Sequence, residues 1–322
     1  MTKSYDVDVI ILSWNRAEDT IEAIRSALDQ EGVTRRVIIV DQGSDEKTLA
    51  AIEDYLSDKD DVVFRKMGRN LGVPGGRNVA TRLGDAPYIV ALDNDAEFGD
   101  RQMLAKSFRY MDENRDLAAV AFRILNYFTK DIDWTSWGYP RVLRPLANEE
   151  FVTTAFVGAG HCIRREAFEI AGGYDDELFF SYEETDLSYR MLNAGYRIKY
   201  CADLYVLHKV SPEARVKWDQ GRYYYMIRNT TYISYKTGKP LYRIVGSAAL
   251  MMLQGLRNGI FLQCAKAIFD AVKMCVEFRK SELNAPISRL KPEVWRYIAE
   301  HDRSSEYTFM MKLRRSMTAK LE

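Results

Sequence analysis

Two carboxylates follow a buried-looking strand in the segment "YIVALDNDAE", residues 88–97, where Asp93 and Asp95 come directly after an apolar run. Acidic side chains one residue apart repel each other and are costly to desolvate, so a cation or water is needed beside them. Side chains at alternating positions can reach one hard ion, and Mg²⁺ and Mn²⁺ prefer oxygen ligands. Alone, a D-x-D pair is a weak signal, because acids at a strand end commonly form a turn or cap a helix.

Polar or glycine-rich segments follow the other three predicted strands of this region. The candidate ligand-binding residues there are Ser13, Asn15 and Arg16 in "ILSWNR", Asp41 in "VDQGSDE", and Gly76 and Arg77 in "NLGVPGGRNVA". Glycines allow the backbone to approach a ligand closely, and an arginine can donate to a base carbonyl or a phosphate. The glycine-rich segment is neither a Walker A loop nor a G-x-G-x-x-G motif, since the required spacing and the following Lys and Ser/Thr are missing.

The elements that must position these residues alternate in the order βαβαβαβ over the first hundred residues. Near-continuous apolar runs such as "VDVIILSW" are typical of strands covered on both faces, and Asn15 is placed to cap the helix that follows. This order predicts an α/β fold with a mostly parallel sheet flanked by helices. Ligands of such sheets bind at the carboxyl ends of the strands, so Asp41 and Asp93 are expected to share one crevice.

The net charge of zero hides an asymmetry between the two parts of the chain. Residues 1–208 contain 25 basic and 36 acidic residues, whereas residues 209–322 contain 21 basic and 10 acidic residues. An acidic body can hold a cation, and a basic region can meet a polyanion or an anionic membrane surface, although a solvated set of basic helices is an equal alternative.

The C-terminal region reads as amphipathic helices. Its longest uncharged run, from Ile244 to Leu256, has 13 residues. That is too short to cross a bilayer, which needs about 20 residues, so the helix is expected to lie in the membrane interface or to pack on the catalytic domain.

Four scattered cysteines, Cys162, Cys201, Cys264 and Cys275, argue against a disulfide framework and against a cysteine-based zinc site. The first apolar run reads as a strand rather than as a signal peptide. Together these features predict a cytoplasmic protein, with peripheral attachment to the inner face of the cell membrane as an additional hypothesis.

The motifs, taken in order, resemble family 2 glycosyltransferases with the GT-A fold, and the bacterial rhamnosyltransferase-like, polysaccharide-assembly branch is nearest. They are "VIILSWNR", "VDQGSDE", "NLGVPGGRN", "LDNDAE", "GAGHCIRREAFEIAGGYDDELFFSYEETDLSYRMLNAGYRIKY" and "LHK", and the resemblance covers roughly residues 5–210. It implies a nucleotide-sugar-binding catalytic domain over residues 1–210, with the acceptor side at about 98–210, followed by a basic, amphipathic helical region over 211–322.

The resemblance also implies roles for individual residues. Those expected to bind the nucleotide sugar are Ser13, Asn15, Arg16, Asp41, Gly76, Arg77, Asp93 and Asn94. Asp93 and Asp95 match the metal-binding D-x-D, with Asp95 preferred as the direct ligand, and His208 matches a histidine that completes the metal shell in some members. The expected ion is Mg²⁺ or Mn²⁺, and Asn94 makes this site one charge less negative than the commoner triple-acid motif.

The segment "YEETDL" resembles the family's acidic base motif. Direct displacement at an anomeric carbon requires a base that removes the proton of the acceptor hydroxyl, and a carboxylate at a helix N-terminus suits that role. Glu184 is the first choice, while Glu183 and Asp186 are alternatives, one of which can instead position the acceptor or hold Arg190. The structural alternative is that these acids merely favour the start of a helix.

The resulting hypothesis is an inverting, metal-dependent glycosyltransferase. It uses a UDP- or dTDP-sugar donor, a glycan or polyprenyl-linked acceptor and no nucleic acid, and the aromatic stretch at 127–150 is a candidate for lining the acceptor cleft. His161 is interpreted as a structural histidine. A nucleotidyltransferase is disfavoured because the segment after the first strand, "SWNRAED", is not a G-x-G-T-R loop. The second hypothesis is a catalytically silent carbohydrate-binding or scaffolding protein with this fold.

Overall fold

A mixed β-sheet forms the centre of the protein in a computed structural model that describes residues 3–209, 221–281 and 286–302. In the described residues the sheet has nine strands in the order β3-β2-β1-β4-β8-β6-β9-β5, with β7 also paired to β9. The strands are β1 Val7–Ser13, β2 Arg35–Asp41, β3 Val62–Lys66, β4 Tyr88–Leu92, β5 Ala96–Phe98, β6 Leu117–Asn126, β7 Phe151–Thr153, β8 Gly160–Arg164 and β9 Arg197–His208.

Helices cover both faces of this sheet, as the apolar strands require. The helices are α1 Ala17–Leu28, α2 Glu46–Leu56, α3 Gly72–Arg82, α4 Met103–Glu113, α5 Arg165–Ile170, α6 Glu183–Asn193, α7 Arg222–Lys236, α8 Leu241–Arg257, α9 Phe261–Ser281 and α10 Pro292–His301. One buried cluster joins α1 and α4 to one face, and a second joins α5, α6 and α10 to the other. The predicted α/β class, with its parallel first four strands and a C-terminal helical extension, is confirmed.

Strand register brings the predicted polar segments to one edge of the sheet. The parallel pairing of β1 with β2 places Ser13 opposite Asp41. At the far side, the antiparallel pairing of β5 with β9 places His208 opposite Ala96, and therefore next to Asp95. The carboxyl ends of β1, β2, β4 and β9 thus surround a common region.

Two local predictions are wrong. Asn15 does not cap α1: its side-chain oxygen accepts a hydrogen bond from the backbone N–H of Asp45 (3.1 Å), and Arg16 occupies the N-cap position without a side-chain cap. The segment 197–208, whose sequence suggested a strand pair or a strand followed by a loop, is one strand of 12 residues that pairs with the long strand β6 on both sides of an irregularity between Cys201 and Tyr205. Strand β8 had no expected counterpart, yet it lies antiparallel between β4 and β6.

The two amphipathic helices expected after residue 240 are present as α8 and α9, and both contact α7. In the part of the chain that the structure describes, no helix is both long and apolar enough to pass through a bilayer. The predicted boundary at residue 210 lies outside the described residues and stays a prediction.

Candidate active site

An acidic and imidazole cluster lies where β4 and β9 end. One ligand atom from each of Asp93, Asp95 and His208 can be chosen so that all three lie within 4.8 Å of one another. The register of β9 against β5 brings the histidine to the D-x-D segment from more than a hundred residues away. The three predicted metal ligands therefore lie together. Their two carboxylates and one imidazole are a donor set suited to Mn²⁺ or Mg²⁺.

His208 is held between two carboxylates. Its Nε2 lies 3.3 Å from Asp95 Oδ1, and its Nδ1 lies 3.1 Å from Asp133 Oδ2. Burial by itself lowers the pKa of His208, but the hydrogen bonds to Asp133 and Asp95 outweigh burial and raise it to about 10. Asp133 therefore orients the ring from behind, in the way that carboxylates orient metal-binding histidines.

The other oxygen of Asp95 contacts the loop after β1. Arg16 Nη1 donates to Asp95 Oδ2 at 2.6 Å. Asn15 and Arg16 both have left-handed backbones, with φ of 56° and 57°, a conformation that costs energy for non-glycine residues and is commonly found at functional sites. Asn94, between the two acids, instead donates to Thr20 Oγ1 at 3.2 Å.

Arg77 links the D-x-D segment to the acidic helix start. Its guanidinium donates to Glu184 Oε1 at 2.7 Å, to the carbonyl of Gly158 at 2.9 Å and to Asp93 Oδ1 at 3.3 Å. The side chain is only 3% exposed and its charge lies over the ring of Tyr174. The buried guanidinium compensates the negative charges of Glu184 and Asp93 and therefore holds these two carboxylates in position.

The three acids of "YEETDL" occupy different environments. Glu184 lines the cleft and contacts Arg77. Glu183 also borders the cleft but is nearly completely buried, and burial together with the charge of Glu184 raises its pKa to about 8. Asp186 lies away from the cleft lining and pairs with Arg190 (2.6 Å) and Lys236 (3.0 Å), which is the arginine-holding alternative noted from the sequence.

The backbone before these acids is strained. Phe179, Ser181 and Tyr182 have positive φ values of 58°, 72° and 71°. Asn229 of α7 holds this loop, because its amide nitrogen donates to the carbonyls of Leu178 (3.0 Å), Phe180 (2.9 Å) and Ser181 (2.7 Å). Nothing in the sequence near Asn229 indicates this contact, which joins positions about 50 residues apart.

The remaining predicted donor-binding residues lie at the ends of β1 and β2. Asp41 is buried, and its carboxylate accepts hydrogen bonds from the backbone N–H groups of Gly43 and Ser44, both at 3.0 Å, and from the Ser44 hydroxyl. Ser13 is buried opposite it, and its hydroxyl has no hydrogen-bond partner among the described residues. Gly76 is closely packed, since a Cβ there would lie 2.9 Å from Leu12 Cδ2, and its predicted contact with the donor stays a prediction.

His161 agrees with its interpretation as a structural residue. It is fully buried, with Nδ1 2.8 Å from the carbonyl of Val157 and Nε2 3.2 Å from the hydroxyl of Tyr174. In the part of the chain that the structure describes, no hydrogen bond joins either ring nitrogen to Asp93 or Asp95.

A cleft of about 560 Å³ joins the cluster to the acidic helix start. Arg77, Asp93 and His208 lie on its wall together with Glu183 and Glu184. A candidate cation site, a buried arginine and a candidate carboxylate base therefore face one open space, an arrangement suited to transferring a group from a polyanionic donor to a hydroxyl.

Two curated proteins with similar sequences are rhamnosyltransferases by name. The dTDP-rhamnosyl transferase RfbF of Shigella flexneri is 24% identical over 251 residues, covering 73% of this chain and 82% of that protein. The O-antigen chain rhamnosyltransferase RfbN of Salmonella typhimurium is 22% identical over 211 residues, covering 63% of this chain and 66% of that protein.

A solved structure shares the fold over nearly the whole chain. The mannosyltransferase PcManGT from Pyrobaculum calidifontis, solved in complex with GDP-Man and Mn²⁺, superposes with a TM-score of 0.58 at 16% identity, covering 98% of this chain and 88% of that chain. A sequence model described as glycosyl transferase family 2 matches residues 8–170, about half of the chain, from the first strand through α5. The chain therefore belongs to glycosyltransferase family 2.

Proposed function

We propose that this glycosyltransferase is inverting and metal-dependent, and that it transfers a deoxyhexose from a dTDP-sugar to a hydroxyl of a glycan or lipid-linked glycan in surface polysaccharide synthesis. The observation that carries the proposal is the single cleft that Asp93, His208, Arg77 and Glu184 share. The names of two relatives, both rhamnosyltransferases, support dTDP-rhamnose as the first donor to test, with UDP-sugars as the second class.

The metal requirement is supported by the donor set. Asp95 and His208, with Asp93, would hold Mn²⁺ or Mg²⁺, since oxygen and imidazole ligands lie close enough to share one ion. A bound divalent ion would neutralise the diphosphate that departs from the sugar. Arg16 contacts Asp95 and Arg77 contacts Asp93, so both arginines add positive charge beside the proposed metal site.

Glu184 is the proposed base. In a single displacement, the acceptor oxygen forms the new bond to the anomeric carbon while the bond from that carbon to the diphosphate oxygen breaks. The acceptor proton passes to Glu184, whose carboxylate borders the cleft and is held in place by Arg77. Glu183 is less suited, because its raised pKa keeps it protonated at neutral pH.

An aromatic cavity next to the cleft is the proposed acceptor site. It has a volume of about 560 Å³ and shares Trp137 and Thr185 with the cleft. Trp134 is half-exposed at its edge, with the guanidinium of Arg144 4.8 Å from its ring. Exposed aromatic faces bind sugar rings well, so the stretch expected from sequence to contact the acceptor borders the proposed base.

A donor screen tests the proposal. Purified protein is incubated with dTDP-rhamnose and with the common UDP- and GDP-sugars, with Mn²⁺, with Mg²⁺ or with a chelator, and nucleotide release is measured. We expect turnover of one donor that requires the metal and that is lost in Asp95→Ala. Equal turnover by wild type and variant would remove the metal role of Asp95.

The same experiment distinguishes the second hypothesis. A catalytically silent carbohydrate-binding protein would release no nucleotide from any donor. It would also show no metal-dependent increase in melting temperature with UDP or dTDP, whereas an enzyme that binds donor through the metal is stabilised only when both are present.

A further inference from the structure

Helices α8 and α9 expose an apolar surface. Ten of the fourteen large hydrophobic side chains that are exposed in the described residues belong to these two helices. On α8 the exposed residues Leu241, Val245, Leu253 and Leu256 are spaced by four, eight and three positions, which places them on one side of the helix. We call this surface the α8–α9 face. Soluble proteins rarely leave so many neighbouring apolar side chains exposed, so we expect the face to bind a partner or a membrane.

Helix α9 is apolar on two opposite sides. Its inner side, which includes Cys264, Ala267 and Met274, packs into buried clusters with α7. Its outer side carries Leu262, Phe269, Val272 and Val276, with Leu262 82% exposed and Phe269 59% exposed. A surface helix usually has one apolar side, which packs on the core, whereas α9 has a second apolar side that remains open in the described residues.

Basic side chains border the apolar residues. Lys266, Lys273 and Lys280 recur every seven residues along α9 beside its outer apolar stripe, and Arg257 ends α8. The Lys273 ammonium lies 4.5 Å from the ring of Phe269, as expected of a long side chain that extends along an apolar surface. Helix α8 contains no acidic residue. On α9, the carboxylate of Asp270 accepts a hydrogen bond from the Tyr224 hydroxyl of α7 (2.7 Å), and the exposed Glu277 lines a pocket with Glu177 and Lys236, on the side of α7.

We propose that the α8–α9 face lies on an anionic lipid bilayer, with its apolar side chains in the headgroup–acyl boundary and its lysines at the lipid phosphates. An apolar stripe bordered by lysine and arginine is the pattern of helices that lie in the interface plane rather than cross the membrane. Charge complementarity decides against a second copy of the chain, since the same basic border would then face itself. The inference does not depend on the proposed reaction.

The position of the face gives the attachment a consequence for the cleft. Helix α7 packs against both α8 and α9, and its residues Arg222 and Met226 line the cleft that holds Glu184. Between a bilayer under the α8–α9 face and the cleft lie α8 and α9 themselves and then α7. Attachment would therefore hold the cleft close to a membrane that carries a lipid-linked acceptor.

Vesicle flotation of the full chain tests the proposal. Vesicles of phosphatidylcholine alone are compared with vesicles of phosphatidylcholine mixed with phosphatidylglycerol. We expect flotation with the anionic vesicles that weakens as salt is raised. Leu262→Ser/Phe269→Ser/Val272→Ser should abolish it, and Lys266→Glu/Lys273→Glu should weaken binding at least about tenfold. The matched control is Ile170→Ser on α5, an exposed apolar residue outside the face, which should float like wild type.

Other outcomes overturn the proposal. It is wrong if wild type does not float with anionic vesicles, or if the triple serine variant floats equally well. A dimer measured by light scattering that dissociates in the triple serine variant, without flotation, would assign the face to a second copy. Circular dichroism and donor turnover in solution show that the variants are folded. Asp95→Ala, which should lose turnover and still float, separates this inference from the proposed reaction.

Discussion

The guanidinium of Arg77 donates to Glu184 and to Asp93, at 2.7 and 3.3 Å, so one buried side chain contacts both the proposed base and the D-x-D segment. These two acids come from α6 and from the end of β4, elements about 90 positions apart in the chain. Their separation is therefore set by the reach of one rigid, planar group. In the proposed reaction, this contact would fix the distance between the D-x-D segment, at the leaving diphosphate, and the base at the acceptor hydroxyl.

The first prediction concerns the base. Glu184→Gln should lower kcat by about 10²- to 10⁴-fold, because an amide cannot accept the acceptor's proton. The dissociation constant of the donor, measured by isothermal titration calorimetry with Mn²⁺, should change little, since Glu184 is not proposed to bind the nucleotide. Glu183→Gln is the matched control and should lose far less activity; equal losses in the two variants would contradict the assignment.

Metal binding should release a proton. The pKa of His208 is about 10 in the arrangement with Asp133 and Asp95, so the ring is protonated at neutral pH and must lose that proton to bind an ion. Mn²⁺ affinity should therefore rise with pH, up to about tenfold per unit below the pKa. Calorimetry in buffers of different ionisation enthalpy measures the proton count. His208→Ala should bind Mn²⁺ more weakly and without this proton; unchanged proton release would exclude His208 as a ligand.

The buried acid Glu183 should make stability fall as pH rises. Its folded-state pKa is raised to about 8, above the ordinary value of 4.5, so the folded protein holds a proton that the unfolded chain has lost. By linkage, stability decreases as pH rises from about 4.5 to about 8. Glu183→Gln removes this loss, so its melting temperature should exceed that of wild type by more at pH 8.5 than at pH 5. A constant difference across that range would contradict the buried, protonated state.

Asp186 should matter for folding and not for chemistry. It is buried and paired with Arg190 and Lys236, and removing one member of a buried ion pair typically costs about 3–5 kcal/mol. Asp186→Asn should lower the free energy of unfolding in urea by an amount of that order. Asp116→Asn removes an exposed pair with Arg197 and should cost less than about 1 kcal/mol. If the two variants lost similar free energies of unfolding, the ion pairs of Asp186 would be no more shielded from water than the surface pair of Asp116.

The strained loop before α6 should depend on Asn229. Asn229→Ala leaves the carbonyls of Phe180 and Ser181 without this donor, while the carbonyl of Leu178 keeps Arg228, and it should destabilise the protein by about 1–3 kcal/mol. Because the loop leads into Glu183 and Glu184, kcat should also fall, even at temperatures where the variant is fully folded. Asn258→Ala on α8, whose side chain bonds to the carbonyl of Gln254 in its own helix, should leave kcat unchanged. Full activity of Asn229→Ala would contradict a role for this contact.

Local periodicity and strand ends predicted much of this architecture. The apolar runs that became β1, β2 and β4 were recognisable because strands buried on both faces read as continuous apolar segments. Parallel topology predicted that Asp41 and Asp93 share one crevice. Both lie at strand ends on the same edge of the sheet, but the residues that line the cleft include Asp93 and not Asp41. Family resemblance, rather than periodicity, placed His208 with them and singled out Glu184.

What sequence reasoning missed is non-local. Asp133 supports His208 across 75 positions, and it lies in an aromatic stretch where no spacing rule singles it out. The short strand β8 carries a histidine, a cysteine and a basic end, so its apolar signal is too weak to stand out. The capping role expected of Asn15 failed because a tertiary partner, the backbone of Asp45, competed for the same side-chain oxygen.

The contact of Asn229 with the 178–181 carbonyls also bears on how variants with new specificity can be assembled. Exchanging only the stretch that resembles other family members, up to about residue 210, would place a foreign 178–181 loop against the native α7, whose Asn229 donates to carbonyls of that loop. Chimaeras should therefore carry residues 221–236 along with the sheet, and crossover points belong after Lys236, where the turn at Gly238 leads into α8.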